Sequence, residues 1–461
     1  MKFSIIIPFF NAEQYLSTAI DSVIHQTLDF KDNIEIVLID DGSTDNSQEI
    51  CLEYKRLFPN NIIYIYTANN GPSHARNIGI ENVSPSSDII GFLDADDYIS
   101  SNSLENVYTF FHTHKEVNMA VIPLFHLDNT VNPHKLNYRF DKGSRVINIL
   151  NEYHAIHFHI GGCFFKANIL KNSNEWRFRQ DLRFWEDALL INLFLLTYKK
   201  YGVVSEAKYY YRKHQKNQSL VSRSWYQKSR YIPMLNNCYE FLVSQSINLY
   251  NEIIPYIQYL IIYHLRLYLV PKNSWIIYEV LTVQEQNAFF QGIVNLIKKF
   301  DDKYIMDQPF PYYYKYFLIS LKKNGWPFKP VVLYPIDEQH ITITKWTLHN
   351  HKWLIEGNFK NKAYNLKKDD RIFIKRKEKI IYTNSEQLDS KSIVIWGNLV
   401  RDFTYSGFSV SLPINYVKFQ FGLETKEGNT ILLNHVNLFK FMIKKVTKTL
   451  LNYFHRKRKN E

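Results

Sequence analysis

SDIIGFLDADDYIS, Ser87 to Ser100, is an apolar run from Ile89 to Leu93 that ends in three carboxylates within four residues, Asp94, Asp96 and Asp97. A continuous apolar run of this length reads as a buried strand, which puts the acids where the strand leaves a sheet. Carboxylates packed this closely repel one another unless a cation lies between them. A hard divalent ion that keeps part of its water and shares its coordination with substrate phosphates asks for only one or two protein carboxylates. The run therefore predicts a nucleoside-diphosphate site, against the plain alternative of a solvated acidic turn. Its neighbours in the chain decide between the two.

Phe3 to Pro8 is strand-like, and Ala12 to Gln26 spaces Tyr15, Leu16, Ala19, Ile20 and Val23 on one helical face. Ile34 to Ile39 is a second buried strand, delivering Asp40, Asp41, Gly42, Ser43, Thr44 and Asp45 into a helix over 46–58, with Ser or Thr expected to cap it. Ile62 to Tyr66 is a third strand, followed by an Asn-Asn-Gly-Pro turn and a helix through Arg76 to Glu81. Strands alternating with helices predict a mostly parallel sheet with right-handed crossovers. In such sheets ligands bind beyond the carboxyl ends of the strands, where every one of these polar clusters falls.

A chain of 461 residues is long for one core and predicts two or three domains. Hydrophobic residues make up 46% and charged residues 22%, which excludes a disordered chain. The three cysteines, Cys51, Cys163 and Cys238, have neither metal-ligand spacing nor a disulfide framework and point to a reducing compartment. The net charge of +12 calls for an anionic partner or surface. MKFSIIIPFFN is broken by Pro8 and reads as a strand, not a signal peptide. Ile253 to Val270 is the longest apolar stretch, but it carries Pro255, His264 and Arg266 and reads as a buried helix. These readings predict a cytoplasmic protein.

SIIIPFFN, VLIDDGSTDNS, NNGPSHARNIGI and IIGFLDADDYI, in this order and spacing, resemble the family 2 glycosyltransferases of the GT-A fold, over roughly the first hundred residues. The resemblance implies a nucleotide-sugar donor, usually a UDP-sugar, a divalent metal (Mn2+ or Mg2+) and inversion at the anomeric carbon. Carried onto this sequence, Pro8 and Phe9 line the nucleoside pocket through their backbone. Asp41 sits where the family bonds the base, with Asp40 beside it as the second choice. Arg76 reaches the base or the diphosphate, against the reading of a surface helix cation. Asp94 and Asp96 form the D-x-D element, Asp96 binding the metal and Asp94 the ribose or the metal's waters. Asp97 reads as a helix cap or a support behind the other two.

Beyond Tyr98 the pattern loosens, as a half that handles the acceptor would. Met119 to Leu127 reads as one strand and 128–138 as a polar loop. His154, His157 and His159 alternate as on one strand face, without a fourth ligand for zinc. Gly161 and Gly162 would let backbone approach a sugar. Glu186 and Asp187 open an apolar helix, a place where acids also sit for dipole reasons. An inverting transfer needs one carboxylate to take the acceptor hydroxyl's proton. W-E-D here is similar to the family's E-D element, which makes Asp187 the base and Glu186 its neighbour on donor or acceptor hydroxyls. YYYRKHQKNQSL, from Tyr209, resembles the family's segment that closes over the diphosphate, with Arg212 and His214 facing the leaving group and Ser219 a weaker candidate.

The expected organisation is a GT-A α/β domain over 1–224, a helical linker region over 225–330, an antiparallel β-sandwich over 331–435 and a basic amphipathic tail helix over 436–461. Short strands at Ile341–Trp346, Trp353–Phe359, Arg371–Lys375, Ser392–Trp396, Phe408–Leu412 and Lys418–Glu424 carry the sandwich. Its segment ITKWTLHNHKWLIEGNF resembles the accessory domains of teichoic-acid and capsule glycosyltransferases, which bind polymer or build homo-oligomers. The tail, with RKRK at 456–459, would lie on anionic lipid at the inner face of the cell membrane or pack as an end helix. The expected function is transfer of a sugar to a cell-surface glycan or polyol-phosphate acceptor. The alternatives are a lipid-linked oligosaccharide or protein as acceptor, and a catalytically inactive carbohydrate-binding scaffold. Nucleic acid ranks last as a partner, because the basic residues form no reader motif.

Overall fold

The computed structural model describes the chain except for residues 128–129, 214–219, 332, 334, 363, 390–391 and 440–461. Two compact units divide it: Met1–Leu267 with Trp275–Gln308, and Tyr268–Ser274 with Pro309–Glu461. In the first, β1 (Phe3–Phe9), β2 (Ile34–Asp40), β3 (Ile62–Tyr66) and β4 (Ile89–Phe92) run parallel, with β1 between β2 and β4. Every residue of β2 is buried, as a strand covered on both faces requires. The chain leaves β1 toward one side and returns to its other side with β4. That reversal opens a crevice at the carboxyl ends of β1, β2 and β4.

The remaining strands of this unit are β5 (Tyr98–Ile99), β6 (Met119–Val121), β7 (Leu124–Leu127), β8 (Val131–Pro133), β9 (Arg145–Asn148), β10 (Cys163–Lys166), β11 (Lys200–Val203) and β12 (Tyr209–Arg212). The main sheet runs β3-β2-β1-β4-β10-β6-β11-β9, with β10 antiparallel to both neighbours. A second sheet, β5-β12-β7-β8, lays β12 beside the turn that follows β4.

Several expectations are corrected here. Met119 to Leu127 is two strands in two sheets, because Pro123 has no amide for a ladder and the Ile122 amide turns to the Gly162 carbonyl. The first helix is Leu16–Ile24: Leu16, Ala19, Ile20 and Val23 are buried as predicted, while Tyr15 stands before it. No Ser or Thr caps the helix Ser47–Leu57. Asp45 accepts the Ser47 amide at 3.1 Å, whereas the Ser43 and Ser47 hydroxyls accept the amides of Asn11 and Ala12, both at 2.9 Å. The loop after β1 has unpaired amides of its own, and these hydroxyls satisfy them.

Gly202 of β11 lies under Phe110 of the helix Ser103–Thr113, and a Cβ there would run into the ring. Gly202→Ala is expected to cost about 1–3 kcal/mol, the usual penalty of overpacking, read as a lower urea midpoint at an unchanged slope.

The stretch 225–330 is helical where described, and its helices divide between the units, Val283–Lys298 in the first and Tyr312–Asn324 in the second. The apolar stretch at 253–270 is the helix Pro255–Leu269. Among the described residues no helix is long and apolar enough to cross a membrane. The second unit stacks two four-stranded antiparallel sheets. One runs Thr342–His349, Lys352–Asn358, Gly407–Pro413, Asn384–Glu386, and the other Lys379–Tyr382, Arg371–Arg376, Lys418–Glu424, Thr430–Asn437. Trp353, Ile355 and Leu412 from one meet Ile374 and Leu423 from the other in a shared core, with Phe408 edge-on to Phe421 at 5.4 Å. The segment at 392–396 is not part of the sandwich. It forms a separate hairpin, Ile393–Ile395 with Asn398–Arg401, because Trp396 is buried elsewhere, its indole N–H donating to the Tyr268 carbonyl at 3.0 Å. The tail expected as a helix lies outside the described residues from 440 onward.

Candidate active site

At the end of β1, Pro8 is half-buried and Phe9 buried, and the Phe9 carbonyl accepts the Asp41 amide at 2.8 Å. Asp40 is fully buried; its carboxylate accepts the Ser43 amide at 2.7 Å and the Tyr64 hydroxyl at 3.0 Å. Asp41 reaches the loop after β3 and accepts the amides of Asn70 and Gly71, at 3.0 and 2.8 Å. Gly71 holds a φ of 92° there, a conformation glycine adopts at little cost. Asp41 thus closes two loops on each other and sets the start of the helix Pro72–Asn82.

Arg76 lies just over one turn into that helix and is buried. Its guanidinium donates to Asp94 Oδ1 at 3.1 Å and to Glu186 Oε1 at 3.0 Å, and lies 5.4 Å from the centre of the Phe178 ring. Burial works against its charge, but Asp94, Glu186 and Asp187 outweigh it and hold the group ionised. The arginine is therefore the bridge between the acidic turn and the W-E-D segment, whose Glu186 lies 110 residues beyond Arg76 in the chain.

Within the turn after β4, Asp94 keeps 28% of its side chain exposed, Asp96 is half-buried and Asp97 is buried. Asp97 accepts the Tyr209 hydroxyl and the Arg212 amide, both at 2.7 Å. Burial, with Asp96 and Asp94 close by, pushes its carboxyl up to about 9. It ties the turn to β12 and caps no helix. Arg212 lies over the same turn, Nε donating to the Asp96 carbonyl at 3.0 Å and the guanidinium stacking 4.4 Å above Tyr15. His214 and Ser219 fall outside the described residues.

Glu186 and Asp187 begin the helix Glu186–Tyr198. Trp185 before them sits at a φ of 70°, a costly conformation for a bulky side chain. Burial and stacking hold it there, with His264 at 5.0 Å and Tyr239 edge-on at 5.2 Å. Asp187 accepts the Ala188 amide at 2.7 Å and draws on the Ile160 amide. Burial raises the Asp187 carboxyl against the pull of Arg76. Burial, then the charge of Asp187, pushes Glu186 up to about 7, with Arg76 again opposing. Raised carboxyls beside a fixed cation in a crevice are the arrangement that general-base chemistry uses.

His157 and His159 face one cavity but His154 does not join them as expected, because 154–160 is irregular: the Ala155 and Ile156 amides turn back to Glu152 and His154. His154 is exposed, His157 is buried between Arg139 and Cys163 at 2.9 and 3.0 Å, and His159 bonds the Gly161 carbonyl at 3.1 Å. The room left by Gly161 and Gly162 is taken by Tyr209, whose ring a Cβ on Gly161 would strike. Tyr209 was not foreseen. Its hydroxyl also reaches the Asp94 amide at 3.3 Å, and the only sign in sequence was its place at the head of the Y-Y-Y-R run.

Among the described residues no group of three or more His, Cys, Asp and Glu side chains is arranged to hold an ion. The turn offers hard oxygen donors instead, with Asp94 partly exposed beside its bond to Arg76. That set fits an ion that shares its coordination with a diphosphate, and does not fit an all-protein cage.

A strand-ordered crevice with carboxylates on two of its walls fits the GT-A class, and the comparisons make that assignment specific. The glycosyl transferase family 2 model matches residues 4–172. The chain belongs to this family. It is 43% identical over 447 residues to the minor teichoic acid biosynthesis protein GgaA of Bacillus subtilis strain 168, covering 97% of this chain and 99% of that one. It is 26% identical over 223 residues to the poly(ribitol-phosphate) beta-N-acetylglucosaminyltransferase TarS of Staphylococcus aureus strain MW2, covering 48% of this chain and 37% of that one. The crystal structure of S. aureus TarS 1-349 in complex with UDP-GlcNAc shares the fold, with a TM-score of 0.53 and 18% identity over 79% of this chain and 99% of that one.

Proposed function

We propose that this glycosyltransferase moves a sugar from a UDP-sugar, with inversion and with a divalent metal, to a hydroxyl of a polyol-phosphate or related cell-surface glycan of the teichoic-acid kind. The observation that carries the reading is the Arg76 bridge, which gathers Asp94 and the Glu186–Asp187 helix start around one buried guanidinium. Asp187 takes the proton of the acceptor hydroxyl as that oxygen bonds to the anomeric carbon. The carbon's bond to the diphosphate oxygen breaks from the opposite face, and its electron pair leaves with UDP. Arg76 and Arg212 face the charge that builds on the leaving group. Asp94 and Asp96 would hold Mn2+ or Mg2+, which when bound supplies positive charge to the diphosphate. Pro8, Phe9 and Asp41 border the base pocket, Asp40 braces it from behind, and Glu186 meets donor or acceptor hydroxyls.

The names of GgaA and TarS support the acceptor class, and the UDP-GlcNAc in the TarS complex supports the donor class. The catalytic part is assigned to 1–224, with the sandwich as an accessory that binds polymer or a second copy. The net charge of +12 suits work at an anionic membrane face.

UDP release from a panel of UDP-sugars, with Mn2+, Mg2+ or a chelator, checks this reading. One donor is expected to be turned over, faster with poly(ribitol phosphate) present. Chelation is expected to stop it, and Asp96→Asn to lower it by about 10- to 100-fold, the usual cost of disturbing a metal site. No release from any UDP-sugar, with or without that polymer, would remove both donor and acceptor assignments.

A further inference from the structure

Beyond the Gly161–Gly162 turn the first unit holds a partly open cavity of about 80 Å³. Its wall carries the imidazoles of His126, His134, His157 and His159, the Arg139 guanidinium and the Tyr211 phenol. No carboxylate lines it among the described residues. The rings are close: His126 lies 5.3 Å from His134, and both His126 and His159 lie 5.7 Å from Tyr211. The buried Arg139 charge and the His134 Nε2–H, with no acid beside them and Ile122, Leu124, Leu136 and Phe158 completing the wall, favour an anion.

The cavity adjoins the candidate active site through a single stretch of chain. Asp187 draws on the Ile160 amide, while His159 and Gly161, on either side of it, line the cavity. We propose that this cavity holds a phosphate of the acceptor chain while the neighbouring polyol hydroxyl reaches Asp187. The inference rests on the phosphate-bearing acceptor argued above, and it says where such an acceptor finds its countercharge. The donor side already spends Arg76 and Arg212 around the acidic turn. A polyanionic acceptor presented to Asp94, Asp96, Glu186 and Asp187 would be repelled unless a cationic recess stood beside the base.

The groups divide the work. Arg139 donates to the Leu136 and Ile156 carbonyls and meets His157, so it contributes a fixed charge in a fixed place. His134 Nδ1 accepts the Leu136 amide at 3.2 Å, which puts the ring proton on Nε2 and leaves that N–H as a donor. Burial, then the charges of His126, Arg139, His159 and Arg266, holds His134 down at about 3. The ring is therefore neutral and meets a phosphate by its Nε2–H, while Arg139 supplies the charge.

The test uses the full chain saturated with UDP and Mn2+, so that phosphate cannot occupy the donor site. Calorimetric titration with the diester glycerophosphoglycerol is compared with inorganic phosphate. The diester is expected to bind one site per chain, and to bind at least tenfold more weakly to His134→Asn, which keeps the backbone acceptor, and to His126→Gln. Absence of diester binding at millimolar concentration, or affinity unchanged in both variants, overturns the proposal. Binding of inorganic phosphate alone overturns the acceptor assignment and leaves a free-phosphate site. The underlying reading fails separately, as a lack of UDP heat before any phosphate is added.

Discussion

Asp187→Asn is expected to lower glycosyl transfer by about 100- to 10,000-fold, the range a positioned general base supplies, with UDP affinity and the melting temperature preserved. The replacement is nearly isosteric and its carbonyl oxygen can keep the Ala188 amide bond made at 2.7 Å in the native chain. What it removes is the proton acceptor. Burial already disfavours the charged carboxylate here, so a neutral amide costs the fold nothing. A fall in kcat with donor KM unchanged marks the loss of chemistry alone, and transfer at the native rate would strike Asp187 from the mechanism.

The same environment sets the pH profile. Glu186 and Asp187 are both raised, Glu186 to about 7, so the acid limb of activity belongs to the pair and lies near neutrality, above the ordinary carboxylate range. Activity falls as pH drops through that limb, because the base is then protonated. Stability moves the opposite way. A carboxyl whose pKa folding raises contributes stability that is fully present below its unfolded value and is lost as pH rises through the folded one. Melting temperature is therefore expected to decline between about pH 4.5 and 7 while activity climbs, and Glu186→Gln is expected to flatten the decline.

Arg76→Met is expected to be the most damaging single change to the fold of the site, at about 3–5 kcal/mol, the cost of stripping one partner from a buried ion pair. The side chain is 9% exposed and bonds Asp94 and Glu186 at once. Without it, the carboxyls of Asp94, Glu186 and Asp187 lose the cation they share and repel. Arg76→Lys keeps the charge but not the fork, since one ammonium on a flexible stem does not reproduce two fixed donors. The double change Arg76→Met with Glu186→Gln separates the two roles. It is expected to recover much of the urea midpoint, because the buried charge is gone, and none of the transfer. Recovery of transfer in the double variant would show that the arginine serves packing alone.

Much of this site was legible before the fold was known. Apolar runs that end abruptly in Asp40–Asp41 and Asp94–Asp97 mark strand ends, and strands alternating with helices leave one sheet edge for all of them. The order of the four motifs named the family. The uses of the individual carboxylates were less legible. Asp40, Asp41 and Asp97 look as free in sequence as Asp94, yet Asp40 is committed to an amide and a hydroxyl, Asp41 to two amides, and Asp97 to a hydroxyl and an amide. Histidine spacing misled for His154 for a related reason: a shared face along the segment requires extended backbone, and 154–160 is not extended.

The sequence by itself determined the parallel half of the main sheet, the edge at which ligands collect and the two-layer nature of the C-terminal β-unit, because all three follow from local hydrophobic period and turn chemistry. Only the tertiary structure decided that Arg76 joins residues 94 and 186, that Trp185 is forced into a left-handed turn to aim Glu186 and Asp187, that Tyr209 fills the space beside two glycines, and that four imidazoles face one cavity. Each of these depends on contacts between segments far apart in the chain. Their energies come from burial and pairing that no local pattern encodes.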